Sequence, residues 1–250
     1  MPEGLALALA TQGLVLIMAV KFLAGLTYGF AGFGAALIFI PLSSLFVPPQ
    51  VAVGVMAVSS VGSLFTVFRP AWAEADRTRV MWMLIPAFVT LTPGVWLLGT
   101  LDVTALRWII SAVIGVSLVA MITGYRRAVA PSNAMLAGIG GGAGLVGGLT
   151  GLTGPVVILF NLSGREDARI MRANTLCFLT LLGTLMIPQL TLQGLFTAQV
   201  LWLGLIMLPV YIVATWLGRR LFDPRRQGLY RGLGYAVIAG AVLVGLPLWD

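Results

Sequence analysis

The sequence predicts an all-α integral membrane protein made of two inverted-topology repeats, residues 1–130 and 131–250. Its composition, an internal duplication and the positions of its arginines carry this prediction. Of the 250 residues 59% are hydrophobic and only 9% are charged, with a mean hydropathy of +1.02, values typical of integral membrane proteins. Each repeat is expected to hold one glycine-broken helix pair, either re-entrant or spanning, and three transmembrane helices.

In the first half, an apolar stretch from Thr11 to Tyr28 leads into a glycine-rich segment, and a short apolar piece follows at Ala35 to Val47. A helix needs about 20 apolar residues to cross a bilayer, and the short piece falls below that length. Three further spans are predicted, at Val51–Phe68, Val80–Leu98 and Ala105–Thr123.

The second half repeats this order of segments. Met135 to Leu149 enters a second glycine-rich segment, and Val156 to Leu162 is again short. Three spans follow, at Ile170–Pro188, Ala198–Leu217 and Leu229–Leu248.

The residues of the two halves agree as well. The stretch "GLTYGFAGF" from Gly25 aligns with "GLVGGLTGL" from Gly144, and every glycine of the first is matched at a displacement of 119. Further on, Ser59, Gly62 and Ser63 align with Thr180, Gly183 and Thr184 at a displacement of 121. We interpret this self-similarity as an internal duplication.

The arginines predict how the two copies are oriented. They crowd four connections: Arg69, Arg77 and Arg79; Arg126 and Arg127; Arg165, Arg169 and Arg172; and Arg219, Arg220, Arg225 and Arg226. The positive-inside rule places these loops in the cytoplasm. Each glycine-broken pair then returns the chain to its starting face and three spans follow, so the second copy is expected to be inverted. Both termini are expected on the non-cytoplasmic side.

The glycine segments predict two breaks in helices at membrane depth. Non-helical backbone is tolerated there only where protein or a watery cavity shields it from lipid. The residues expected to form the breaks are Gly29, Gly32 and Gly34 in the first copy and Gly148, Gly151 and Gly154 in the second. In inverted-repeat transporters such breaks meet near the pseudo-twofold axis and bind substrate.

A short helix is expected to begin after each break, at Ala35 and at Pro155. A helix N-terminus presents unpaired N–H groups and about half a positive charge, so two such ends at one cavity attract an anion. Thr150 and Thr153 add hydroxyl donors in the second break. The alternative is that the glycines only bring helices close together, through small-xxx-small contacts without a ligand.

Three polar residues within apolar stretches are further candidates. Lys21 would either add positive charge to the substrate path or extend along its helix to an interface. Ser59 would contact substrate or bond its own helix, and Asn174 requires a polar partner. The candidate substrate contacts are therefore Lys21, Gly29, Gly32, Phe33, Gly34, Ala35, Ser59, Gly148, Thr150, Gly151, Thr153, Gly154 and Asn174.

Residue types that are missing exclude several function classes. The chain has no histidine and one cysteine, and its acids fall in loops or at termini, so neither an enzyme site nor a metal or other cofactor is expected. Coupling through a buried carboxylate is disfavoured for the same reason. The net charge of +7 is explained by membrane topology rather than by a nucleic-acid-binding face.

The two glycine motifs, "GLTYGFAGFGAALIFIPL" and "GGAGLVGGLTGLTGPVVILF", resemble those of the TauE/SafE sulfite exporter family, also called the toluenesulfonate uptake permease family. The resemblance covers nearly the whole chain. It implies movement of sulfite, sulfoacetate or another organosulfonate across the bacterial inner membrane, with the motif glycines at the site. The chain departs from a symmetric motif where Thr153 stands opposite Gly34, which predicts a different turn in the second break.

The sequence therefore predicts a transporter for small sulfur-containing anions that works by alternating access in the lipid bilayer. An anion channel or uniporter with the same site is the leading alternative, and a membrane scaffold without transport is another. The direction of transport, any coupling ion and the choice between monomer and homodimer are left open.

Overall fold

The computed structural model describes residues 3–123, 132–161, 168–221, 232, 236–241 and 244–245. The predicted last span, Leu229 to Leu248, lies largely outside the described residues, and so do several of the predicted cytoplasmic arginines: Arg126, Arg127, Arg165, Arg225 and Arg226. All regular structure within the described part is helical, which confirms the predicted all-α class.

The helices follow one another in the predicted order. Those of the first half are α1 (Glu3–Leu9), α2 (Leu14–Ala31), α3 (Ala35–Ser43), α4 (Pro49–Ser60), a π-helix (Leu64–Phe68), α5 (Arg69–Glu74), α6 (Arg77–Thr100) and α7 (Val103–Thr123). Those of the second half are α8 (Asn133–Thr150), α9 (Gly154–Asn161), α10 (Ala168–Leu192) and α11 (Ala198–Arg220), and residues 236–241 are also helical.

Five of these helices are long and apolar enough to cross a membrane, namely α2, α6, α7, α10 and α11. A sixth span is possible if α4, the π-helix and α5 are taken together, although they are bent by 42°. The helix α8 is as long as α2, but its many glycines make it less hydrophobic. The chain is thus a multi-pass membrane protein.

The bent span replaces the straight one predicted at Val51–Phe68. Around the bend, the N–H groups of Val61, Gly62 and Leu64 bond carbonyls three residues earlier rather than four, and the π-helix follows at once. Such local changes of helix type bend a helix and are frequent at functional sites.

The helix bounds repeat between the halves with the displacement of the sequence motif. The bounds Leu14–Ala31 of α2, shifted by 119, give the bounds Asn133–Thr150 of α8. The short helices α3 and α9 follow their breaks in the same way. The halves also exchange partners, because α2 packs against α11 and α8 packs against α6. This reciprocal packing is what a pseudo-twofold axis produces, and the inversion of the second copy stays a prediction.

The α6–α8 contact and the α2–α11 contact each contain a glycine-on-glycine crossing. A Cβ atom placed on Gly94 of α6 would lie 2.9 Å from the Cα of Gly148 in α8. In the matching crossing, a Cβ atom on Gly29 of α2 would lie 2.9 Å from the Cα of Gly218 in α11. The two helices of each pair approach as closely as backbones can, which is the usual role of small-xxx-small residues in membranes.

These crossings correct the prediction that Gly29 and Gly148 belong to the breaks. Both glycines lie inside α-helices, α2 and α8, and their missing side chains serve helix packing. The breaks begin one helical turn later, at Gly32 and at Gly151.

We expect Gly94→Ala to destabilise the protein by about 1–3 kcal/mol, because the added methyl group meets backbone atoms that cannot move without separating two helices. Gly218→Ala, at the matching crossing, should cost a similar amount. Thermal unfolding in detergent measures both effects.

Gly115→Ala in α7 is the matched control, since nothing lies within 4 Å of the position of its Cβ atom. It should leave stability unchanged or raise it slightly through the higher helix propensity of alanine. Equal destabilisation of all three variants would contradict this account of the crossings.

Candidate functional site

Each break is a short stretch of left-handed backbone that glycine supplies. In the first break Gly32 has φ +81° and Gly34 has φ +94°. In the second break Gly151 has φ +73°, and no described residue other than glycine has a positive φ. Thr153 therefore does not repeat the conformation of Gly34, and the second break turns differently, as the substitution predicted.

Each break packs on a helix of the other half. A Cβ atom on Gly32 would lie 3.1 Å from the Cγ of Arg172 in α10. A Cβ atom on Gly151 would lie 2.9 Å from the Cγ2 of Val53 in α4. Arg172 and Val53 are separated by the same 119 positions as the two glycines, so both breaks occupy equivalent places in the duplicated fold. Protein from the opposite half shields both from lipid.

Arginines satisfy the carbonyl ends of the broken pair in the first half. The Nη2 of Arg172 donates to the carbonyl oxygen of Gly29 at 2.7 Å, near the end of α2. The Nη2 of Arg107 in α7 donates to the carbonyl oxygen of Ser44 at 2.6 Å, directly after α3. The last carbonyls of a helix lack partners within it, and a cation is favoured there.

A partly open cavity lies between the two breaks. Its lining comes from α2, α3, α4, α9, α10 and α11 together with both breaks and the bend after α4. The apolar part includes Leu37, Val53, Met56, Ala57, Leu179 and Met186. Within the described part of the chain, no charged side chain lines it.

The N-termini of both short helices lie at this cavity. Ala35, Ala36 and Leu37 form the first turn of α3, and Gly154 and Pro155 begin α9; all five line the cavity. The N–H of Ile38 is the first in α3 to bond within the helix, to the carbonyl of Gly34 at 3.2 Å. The earlier N–H groups belong to the unpaired set that every helix N-terminus presents, and they carry the positive end of the helix dipole.

A chain of hydroxyl groups forms another part of the wall. The Tyr28 hydroxyl lies 3.0 Å from the Thr180 hydroxyl, and the Ser63 hydroxyl donates to Thr180 at 3.2 Å. These side chains come from α2, α10 and the bend after α4, and all three line the cavity. A hydroxyl both donates and accepts hydrogen bonds, so the cluster can turn donors toward an anionic ligand.

Lys21 lies directly behind the cavity wall. Its side chain is fully buried, and its Nζ is 2.9 Å from the Sδ of Met56 and 4.3 Å from the ring centroid of Tyr211. Met56 and Tyr211 line the cavity, whereas Lys21 does not.

Of the predicted site residues, the structure brings five to the cavity: Gly34, Ala35, Gly151, Thr153 and Gly154. Gly32 and Phe33 belong to the first break without lining the cavity, and Gly29 and Gly148 lie at the helix crossings.

The hydroxyl of Thr150 is used locally, since it donates to Val146 O at 2.6 Å and accepts from the N–H of Leu152. The Ser59 hydroxyl donates to Val55 O within its own helix. The Asn174 side chain accepts the N–H of Asp76 at 2.8 Å and so holds the start of α6.

The prediction missed several lining residues, above all Tyr28, Ser60 and Tyr211. A signal existed for Tyr28, which lies inside the first glycine motif. The duplicated Ser59/Ser63 and Thr180/Thr184 pairs pointed to the right helix faces, but Ser63 and Thr180 reach the cavity while Ser59 does not. Tyr211 carries no signal, because an aromatic residue in an apolar span looks like any packing residue.

Comparison with known proteins identifies one family. The model of the family described as "Sulfite exporter TauE/SafE" matches residues 17–245. No curated protein and no solved structure matches the chain.

We expect Gly34→Ala to destabilise the protein by about 1–2 kcal/mol, because alanine is strained in left-handed backbone. Gly34→Asn should cost less, since asparagine tolerates that conformation. A Cβ atom there would also make a tight contact of 3.3 Å with Thr27 Cγ2; both variants share this contact, so the difference between them reports the backbone strain. Thermal unfolding in detergent measures both variants. Equal stability of Gly34→Ala and wild type would contradict the role assigned to this residue.

Proposed function

We propose that this chain, which belongs to the sulfite exporter TauE/SafE family, carries small sulfur-containing anions across the bacterial inner membrane. The family makes it an anion-exporter type of membrane transporter rather than an enzyme. Sulfite, sulfoacetate or another organosulfonate is the substrate in this proposal, and alternating access is the mechanism.

One observation carries the proposal: the N-termini of α3 and α9 line the same cavity. Each end offers backbone N–H groups and about half a positive charge, which is the standard means of binding an oxyanion without a charged side chain. The proposed contacts are the first-turn N–H groups of α3 after Gly34 and the N–H of Gly154 in α9. Pro155 has no N–H, and the N–H of Thr153 already bonds the carbonyl of Gly151. The breaks at Gly32 and Gly151 turn the chain so that these ends point inward.

The hydroxyl cluster supports an oxyanion as the ligand. Tyr28, Ser63 and Thr180 already exchange hydrogen bonds at the wall, and each hydroxyl can rotate its proton toward a sulfonate or sulfite oxygen. The neighbouring apolar wall, with Leu37, Leu179 and Met186, suits the carbon part of an organosulfonate. Such a ligand has a charged end and an apolar end.

Alternating access is supported by the way in which the halves are interleaved. The cavity is lined by the break of each half and by the helix of the other half on which that break packs. A relative movement of the two halves would therefore open the cavity toward one face while closing it toward the other. The bend after α4, which bears Ser60 and Ser63, is a place where such a movement can be absorbed.

Flux of sulfite or sulfoacetate into proteoliposomes tests the proposal against its alternatives. Measurements with and without a pH gradient show whether transport is coupled to protons, since none of the five long apolar helices contains a carboxylate. Saturable flux that depends on the gradient supports the coupled transporter. Flux that is independent of the gradient favours the channel or uniporter, and absence of flux favours a scaffold.

Gly183→Leu should reduce flux by at least about tenfold, because its side chain would fill part of the cavity that must hold the substrate. Gly183 lines the cavity from α10, and a Cβ atom there would lie 3.2 Å from Ser60 Oγ.

Gly115→Leu is the matched control, since it makes the same change in α7 where no atom lies within 4 Å. It should leave flux near the wild-type value. Full activity of purified, folded Gly183→Leu protein would place the substrate path elsewhere.

A further inference from the structure

Lys21 is the one lysine of the chain, and it lies in an unusual environment. Its side chain is fully buried. The Nζ lies 4.4 Å from the ring centroid of Phe39 in α3 and 4.3 Å from that of Tyr211 in α11. It also lies 2.9 Å from the Sδ of Met56 in α4. The Lys21 Nζ is thus surrounded by two aromatic rings and a thioether from three different helices.

No carboxylate of the described part of the chain pairs with Lys21. Glu74 binds Arg169, and Asp76 binds Arg79. The Asp102 carboxylate accepts the N–H of Ala105 at the start of α7. A buried charge without a counter-ion is costly, and cation–π contacts offset only part of that cost. The site would therefore gain from an anion close to Lys21.

The cavity is where that anion can be placed. Met56 and Tyr211 contact the ammonium group and also line the cavity, so a single layer of side chains separates Lys21 from a bound ligand.

The duplication shows that the fold itself does not require a side chain here. The position that matches Lys21 at a displacement of 119 is Gly140, which packs directly against the backbone of Met83 in α6. In the second half, glycine at this position lets α8 pack directly on α6. In the first half, the Lys21 side chain fills the corresponding space between helices. The positive charge is an addition to one copy only.

We propose that Lys21 sets the charge selectivity of the site, favouring doubly charged anions over singly charged anions of the same shape. The inference rests on the proposed function and adds the charge class of the substrate to it. The attraction of a fixed cation grows in proportion to the charge of the anion. The cost of removing the anion from water also rises with its charge, but that cost is the same with or without Lys21, so loss of Lys21 weakens binding of a dianion more than binding of a monoanion.

Coulomb's law gives the expected size of the effect. With roughly 10 Å between the two charges and an effective dielectric constant of about 20, loss of Lys21 weakens binding of a monoanion roughly tenfold. The same loss weakens binding of a dianion roughly a hundredfold, because the interaction energy doubles. The logarithms of the two losses should therefore stand in a ratio of about two.

Methanesulfonate and sulfate are suitable probes, because they have nearly the same tetrahedral shape and carry one and two negative charges at neutral pH. Their dissociation constants are measured by titration calorimetry on the detergent-purified full chain. Lys21→Met is the test variant, since methionine keeps an unbranched side chain without the charge. We expect a roughly tenfold loss for methanesulfonate and a roughly hundredfold loss for sulfate.

Two controls separate charge from packing. Lys21→Arg keeps the charge and should retain the preference for sulfate over methanesulfonate. Arg169→Met removes a positive charge whose side chain is 75% exposed, far from the cavity lining, and should change neither dissociation constant.

Equal losses for both anions in Lys21→Met, or no loss, would overturn the inference while leaving the anion site in place. Wild-type protein that binds neither probe and none of sulfite and sulfoacetate would overturn the proposed function and the inference with it.

Discussion

The structure depends on one constraint, the need of every backbone N–H and C=O group in a membrane for a partner. Two helices nevertheless break, at Gly32–Gly34 and at Gly151–Thr153. Each break is sheltered by a helix of the opposite half, through Arg172 in one case and Val53 in the other. Residues directly after both breaks line the cavity, so the packing that shelters the breaks also forms part of the cavity wall.

Sheltering requires the halves to interlock closely, and the glycines of α2, α6, α8 and α11 make this possible. At each crossing the backbones touch through a pair of glycines, so the helices that precede the breaks are held against the other half. The glycines of the motif thus have two structural roles within a few residues. Gly29 and Gly148 bring helices together, and Gly32 and Gly151, one turn later, end them.

Among the described residues, no charged side chain lines the cavity. Arg172 of α10 bonds a carbonyl group near the C-terminus of α2, and Arg107 of α7 bonds one at the C-terminus of α3. The first turns of α3 and α9 line the cavity, and in the proposed function their N–H groups bind the anion. Lys21 lies behind the cavity wall and does not line it. In that proposal a ligand meets backbone, hydroxyl and apolar groups, and the positively charged side chains stay outside the cavity.

The sequence by itself determined the membrane class, the order of the helices, the duplication, the approximate places of the breaks and the family. Hydropathy, glycine content and self-similarity are local or repeated properties, which a single chain displays directly. They could not separate Gly29 from Gly32, because both are glycines in one motif and differ only in what lies opposite them.

Tertiary structure alone decided which side chains share the cavity. Tyr28 meets Thr180, which is 152 positions away, and Tyr211 joins Lys21 from the far end of the chain. Ser59 and Ser63 are four residues apart, but Ser59 lies in α4 and Ser63 in the bend that follows it, and only Ser63 reaches the cavity wall. Packing between distant segments decides which residues each helix face contacts. The spacing of residues within one segment does not contain this information.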